Sequence, residues 1–171
     1  MNAGPNCIAV IQHYERCVLK AYPDPKTGGA PWTIGWGATG AGIGPGIAWT
    51  QAQADARLEA DVAERVGDAN AAIKVPMTQG QFDAFVDILF NTGHGSPIRD
   101  GIVRLKSGYP STLLKKLNDG DKEGACEQFA FWVSPGSSVE KGLRRRRATD
   151  QALWRGMSAA DAIRIGVSQW P

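Results

Sequence analysis

The chain has 171 residues, 43% of them hydrophobic and 21% charged, with a formal net charge of +2 at pH 7. That is the balance of a globular protein with one domain, or two small lobes sharing a core, and it excludes a disordered or low-complexity chain. The first ninety residues carry three more acids than bases, and residues 91–171 five more bases than acids. A basic second half suits an anionic polymer and equally suits a solvated surface, so charge alone chooses no partner.

The first periodic segment runs from about Asn6 to Val18. Ile8, Ile11, Tyr14 and Val18 recur at helical spacing, and Asn6 is placed to cap its start. Leu19 to Thr39 differs in kind. Asp24-Pro25-Lys26-Thr27-Gly28-Gly29 reads as a turn and Trp32-Thr33-Ile34-Gly35-Trp36 as a strand, so a small β-ribbon is expected. Gly40 to Gly46 is glycine-rich, but no Lys-Ser/Thr follows it, which rules out a phosphate loop.

Thr50 with Gln53 has the spacing of a capping box. The helix it opens keeps Leu58, Val62, Val66 and Ala69 on one face toward Ile73, and Pro76 marks its end. Thr78 with Gln81 repeats the box ahead of Phe82, Phe85, Val86, Leu89 and Phe90, and Gly93 stops that helix. Further helices are expected at about 111–118, 121–130, 140–155 and 158–165. The fold class is therefore α+β, mainly α. A ribbon of this size makes no core alone, so it should form a small lobe, about 14–50, beside a helical lobe of 74–171 with 1–13. A long helix over 51–73 should join them, with a cleft between the lobes.

Cys7, Cys17 and Cys126 show no metal-ligand spacing, and three cysteines cannot all pair within one chain. They read as free thiols. The two histidines, His13 and His94, are too few for a metal site, and no cofactor is implied. The apolar run Cys7–Ile11 is too short for a signal peptide or a membrane span, so no stable membrane insertion is expected.

Glu15 and Asp24 are candidates for paired carboxylate chemistry. Glu15 falls near the C-terminus of the first helix, where the helix dipole and an aromatic neighbour, Tyr14, favour a carboxyl that keeps its proton. Asp24 falls in a polar turn whose backbone N–H groups favour the charged form. Such a split suits an acid and a base working across one bond. Most Glu and Asp are merely solvated, and the pair alone decides nothing.

Its setting is more specific. Glu15-Arg16-Cys17-Val18-Leu19-Lys20-Ala21-Tyr22-Pro23-Asp24, followed by Trp32-Thr33-Ile34-Gly35-Trp36-Gly37, resembles the active-site signature of the T4-type phage lysozymes, glycoside hydrolase family 24. The resemblance continues through Phe82–Phe85, Leu89–Gly93, Ser111–Asp121, Phe131-Trp132 and Gly142–Arg147, nearly the whole chain in the family's order. It implies a lysozyme-like fold and an inverting muramidase that cleaves bacterial peptidoglycan for host lysis. Glu15 looks like the general acid, Asp24 the carboxylate that activates water, and Thr33 the hydroxyl that holds it. Thr39, Phe90 and Ser111 match substrate-contacting positions, and Arg146 is chosen among Arg144–Arg147 as the substrate-binding arginine that faces the cleft near Glu15.

The loop between Asp24 and Thr33 is about three residues longer than the family's familiar form, which makes Thr27 a rival to Thr33. Ala38 stands where many relatives have His. A monomer is the default expectation and no nucleic-acid partner is expected; with no export signal expected, the protein should wait in the host cytoplasm until the membrane is opened, as a phage holin does in this family. The four arginines Arg144–Arg147 advance about 100° per residue on a helix and cannot face one way. A lytic transglycosylase and a non-catalytic wall-binding protein are the rival functions, and the intact set of Glu15, Asp24 and Thr33 weighs against both.

Overall fold

The computed structural model describes residues 1–25 and 27–171. Lys26, in the expected turn after Asp24, lies outside the described residues. The chain is mainly helical with one two-stranded sheet. It divides into two compact units: a larger one of Met1–Val10 with Glu64–Pro171, and a smaller one of Ile11–Ala63.

Helix α1 is Pro5–Tyr14, shorter than the periodicity predicts and starting one residue earlier. The pyrrolidine ring of Pro5 presets a helical φ and needs no N–H acceptor, which suits the first helical position. The N–H groups of Cys7 and Ile8 reach back to the Gly4 carbonyl at 3.1 and 3.4 Å. Asn6 is therefore not the cap of α1. Its side-chain oxygen instead accepts the Ala159 N–H at 3.1 Å, at the start of the last helix. The buried face of α1 is Cys7, Val10 and Ile11, while Ile8 is only half-buried. Val18, expected on this helix, opens the first strand.

In the smaller unit, β1 (Val18–Pro23) pairs antiparallel with β2 (Trp32–Gly35). Tyr22 stands opposite Thr33 and Pro23 opposite Trp32, with a bulge between Val18 and Tyr22. Beyond β2 the chain turns back at once: Ile34 and Ala38 exchange N–H···O bonds of 3.0 and 2.9 Å. Gly35 is required there on two counts. Its φ is +63°, and a Cβ would sit 3.1 Å from the Trp49 ring. Ala38 is buried, so its methyl packs where a larger side chain would need room.

Helix α2 (Gln51–Ala72) opens on the expected capping box. The Thr50 N–H donates to Gln53 Oε1 at 2.8 Å, and the Gln53 N–H to Thr50 Oγ1 at 3.2 Å. Its residues through Ala63 belong to the smaller unit and those from Glu64 to the larger.

The larger unit is built around α3 (Gln79–Thr92), which carries the full Thr78/Gln81 box and ends at Gly93. All residues from Phe82 to Leu89 are buried, so this helix is enclosed on every side. Each fully buried Phe, Ile or Leu contributes about 1.5–3 kcal/mol. The helices α4 (Thr112–Asn118), α5 (Lys122–Gln128), α6 (Glu140–Trp154) and α7 (Ala159–Gln169) complete the unit, with a 3₁₀ turn at Phe129–Phe131. Helix α6 packs on both α3 and α7. The Phe129 ring meets Trp154 edge-on at 5.6 Å.

All three cysteines are free thiols. Burial pushes the Cys7 thiol far up from its ordinary range and that of Cys126 up to about 11, so neither forms a thiolate near neutral pH. No helix among the described residues is long and apolar enough to cross a membrane.

Candidate active site

Glu15, Asp24, Thr33 and Thr39 all belong to the smaller unit. Glu15 is the first residue beyond α1, and its N–H still closes a helical bond to the Ile11 carbonyl at 2.8 Å. It stands at the negative end of the helix dipole, half-buried. Its carboxylate lies against Gly37, where a Cβ would come 3.6 Å from Oε2. Gly37 has φ +91°, so glycine serves both the backbone turn and the open space beside the carboxylate.

Asp24 directly follows β1. Its N–H lies 3.0 Å from the Gly29 carbonyl and 3.1 Å from that of Pro31, and its own carbonyl accepts the Gly28 N–H at 2.8 Å. The loop is thus tied at both ends to the Asp24 backbone, which fixes where the carboxylate begins. The register pairs Tyr22 with Thr33, which makes Asp24 the diagonal neighbour of Thr33 on one face of the ribbon. Diagonal neighbours have Cβ atoms on the order of 7 Å apart.

The two threonines near Asp24 differ in what their hydroxyls do. Thr27 Oγ1 donates to the Ala30 carbonyl at 3.2 Å and accepts the Gly29 N–H at 3.3 Å. It is consumed by its own loop. Among the described residues no group hydrogen-bonds the half-buried Thr33 hydroxyl. Trp36 donates its indole N–H to Asp55 Oδ1 at 2.8 Å, and Gln51 donates to the same oxygen at 2.8 Å. Thr39 is exposed, and its carbonyl takes a long 3.4 Å bond from Arg57.

Phe90, Ser111 and Arg146 belong to the larger unit. Phe90 is half-buried, directly after the enclosed stretch of α3. Ser111 is buried and caps α4, its oxygen accepting the Leu114 N–H at 3.1 Å. Arg146 is 3% exposed and grips Asp87 with two parallel bonds, Nε to Oδ2 and Nη2 to Oδ1, both 2.9 Å. The other arginines diverge as the helical geometry requires. Arg144 pairs with Glu140 and lies 4.9 Å over the Trp170 ring. Arg145 donates to the Trp170 carbonyl at 2.7 Å. Arg147 is buried as well and donates to Asn91 at 2.8 Å.

Sequence reading passes over three buried acids, Asp83, Asp87 and Asp150. Asp83 accepts the Gly4 N–H at 2.7 Å and the Gln79 amide at 2.8 Å. Burial alone would raise the Asp87 carboxyl, but the charge and hydrogen bonds of Arg146, with a hydrogen bond from Asp150, hold it below the usual carboxylate range. Burial and the negative charge of Asp87 push the Asp150 carboxyl well above the usual carboxylate range, which favours the protonated acid beside Asp87. A signal was present. Asp83 and Asp87 recur at i, i+4 inside a helix that is otherwise apolar all round, and such acids need buried donors or cations.

A family model described as phage lysozyme matches residues 12–150. An endolysin of Acyrthosiphon pisum secondary endosymbiont phage 1 is 35% identical over 158 residues, covering 90% of this chain and 98% of that protein. An endolysin of Bacillus phage PZA is 37% identical over 147 residues, 86% of this chain, but the chain spans about half, 52%, of that protein's length. Among solved structures, an endolysin from Escherichia coli O157:H7 phage FAHEc1 superposes with a TM-score of 0.71 at 31% identity, covering 91% of this chain and 94% of the other.

Proposed function

Because the chain belongs to the phage lysozyme family, we propose that it is a T4-type, inverting muramidase that hydrolyses the β-1,4 bond between N-acetylmuramic acid and N-acetylglucosamine in bacterial peptidoglycan. The observation that supports this reading is that Glu15, directly after α1, Asp24, directly after β1, and Thr33, on β2, share one compact unit. Glu15 gives its proton to the leaving glycosidic oxygen. Asp24 takes a proton from the water that attacks the anomeric carbon from the opposite face. The unengaged Thr33 hydroxyl holds that water, whereas Thr27 has both hydrogen-bonding roles filled. Thr39, Phe90, Ser111 and Arg146 are proposed to serve substrate binding. Arg146 brings a guanidinium whose orientation Asp87 fixes.

Digestion of purified peptidoglycan tests the reaction. Reducing ends are expected on the products, and anhydro ends would assign a transglycosylase instead. Within the site, Asp24→Asn should be crippled more severely than Thr33→Ala, because an amide cannot act as an anionic base while loss of the hydroxyl removes only a positioning hydrogen bond. Rates of turbidity loss on permeabilised cells measure both. Thr27→Ala should stay close to the unaltered protein, and a larger loss there than at Thr33 would move the water-holding role into the loop.

On the same reading the protein acts as a monomer on the wall without binding nucleic acid. It waits in the host cytoplasm for a holin to open the inner membrane. Expression by itself should leave cells intact, and chloroform should then trigger rapid lysis. Spontaneous lysis that stops when the secretion machinery is inhibited would show an export route of the protein's own.

A further inference from the structure

Asp55 stands one turn into α2, in the smaller unit that also holds Glu15. Its side chain is half-buried and makes no ion pair among the described residues. Oδ1 accepts two bonds from neutral donors, the Trp36 indole N–H and the Gln51 side-chain amide, both at 2.8 Å. Partial burial of a carboxylate without a cation is a cost. What it secures are two segments that border Glu15.

The first is the turn from Ile34 to Ala38. Reciprocal backbone bonds of 3.0 and 2.9 Å join its ends, and its Gly37 lies beside Glu15, where a Cβ would come 3.6 Å from Oε2. Gly35 and Gly37 both have positive φ, +63° and +91°. Glycine gives the backbone its widest freedom, so Trp36, between the two, supplies the side chain that fixes this stretch. Its indole bond to Asp55 ties the tip of the turn to α2. The second segment is the chain leaving Glu15. Cys17, two residues on, meets the Gln51 amide at 3.7 and 3.8 Å, and the amide nitrogen is the one that donates to Asp55. One carboxylate oxygen therefore holds, through two side chains, both the glycine that Glu15 lies against and the residues that follow it.

We propose that Asp55 is a positioning residue for the reaction. By fixing Trp36 and Gln51 it keeps Gly37 and the Glu15 backbone where the Glu15 carboxyl meets the leaving glycosidic oxygen. The role rests on the muramidase reading for its chemistry, and a misplacement of about 1 Å is enough to cost on the order of a hundredfold in rate.

The test is steady-state kinetics on solubilised glycan strands. Asp55→Ala should lower kcat by about tenfold to a hundredfold and change KM less than about twofold, because substrate still binds while the acid is misplaced. Asp55→Asn keeps an oxygen acceptor for the indole and should recover most of the rate. Trp36→Phe removes the donor and should lower kcat in the same way, and the double variant Trp36→Phe/Asp55→Ala should be no slower than Asp55→Ala. In NMR spectra of the intact protein, the Trp36 indole and Gly37 amide resonances should move in Asp55→Ala and return in Asp55→Asn. Unchanged kcat in Asp55→Ala, a loss carried by KM, an Asp55→Asn variant as slow as Asp55→Ala, additive losses in the double variant, or a Gly37 amide that does not respond would overturn the assignment. Absence of hydrolysis by the unaltered protein would overturn the muramidase reading instead, and the Gly37 resonance would still report on Asp55.

Discussion

Glu15→Gln is expected to lower the rate of lysis of permeabilised cells by about 10²–10⁴ while the protein remains folded, which is the usual contribution of a general acid. The amide has nearly the shape of the carboxyl and can still occupy the space beside Gly37. What it lacks is a proton to give to the leaving oxygen, and without it an alkoxide must depart unaided. Because Glu15 follows the last turn of α1 and is only half-buried, the exchange disturbs no core packing. A circular dichroism spectrum and a thermal midpoint close to those of the unaltered protein should accompany the loss. Near-full activity in this variant would remove Glu15 from the mechanism, whatever Asp24 does.

The largest effect on stability is expected at Asp87. Asp87→Ala leaves Arg146 charged, 3% exposed and without the carboxylate that accepts two of its N–H groups. Removing one partner of a buried ion pair costs about 3–5 kcal/mol. For a chain of this size each kcal/mol moves the thermal midpoint by roughly 2–4 °C, so the midpoint should drop on the order of 10 °C. A drop of a degree or two would mean that water or a neighbour compensates Arg146.

The partner acid behaves oppositely. Among the described residues no N–H reaches either Asp150 oxygen in hydrogen-bonding geometry, and the closest cation, Arg147, stands 3.4 Å away. Asp150 therefore stays protonated in the folded protein over a range where the unfolded chain ionises it. The folded state binds the extra proton, so this group's contribution to stability is full below about pH 4 and declines as pH rises toward the folded value. Asp150→Asn retains a donor toward Asp87 without that decline. It should stabilise the protein at pH 7, with the advantage vanishing as pH falls to about 4. Asp87 has the opposite sign. Its carboxyl is held low, so its contribution is present above the ordinary carboxylate value and is lost as pH falls through the folded one. Midpoints of the single variants measured against pH separate the two.

Much of the helical framework was legible in the sequence because its signals are local. The Thr50/Gln53 and Thr78/Gln81 boxes close over three residues, Gly93 ends α3, and the ribbon follows from Trp32–Gly35 and the turn before it. The family was legible for a related reason: the spacing from Glu15 to Asp24 and the Thr33-Ile34-Gly35 motif are properties of the chain and survive changes in what packs around them, even with a longer loop between them. Where local signals competed, tertiary structure chose. Asn6 had the chemistry of an N-cap, but Pro5 already fitted the first helical position and Asn6 went to Ala159 instead. Val18 kept the helical period but was taken by the strand register opposite Gly35.

The arginine run shows the division most plainly. The 100° step between successive residues dictated that Arg144–Arg147 diverge, and they do. Which of them was buried depended on Asp87, far away in sequence on α3, and on Asp150 one turn on, because a buried guanidinium is stable only where a carboxylate meets it. The choice between Thr27 and Thr33 has the same origin. Both carry the same hydroxyl, three and nine residues beyond Asp24, and only the folded loop engages one of them with its own backbone. Sequence by itself determined most of the secondary structure, the family and the candidate carboxylates. The tertiary structure decided the burial and pairing of the charges, because the energy of a charge depends on what surrounds it in space.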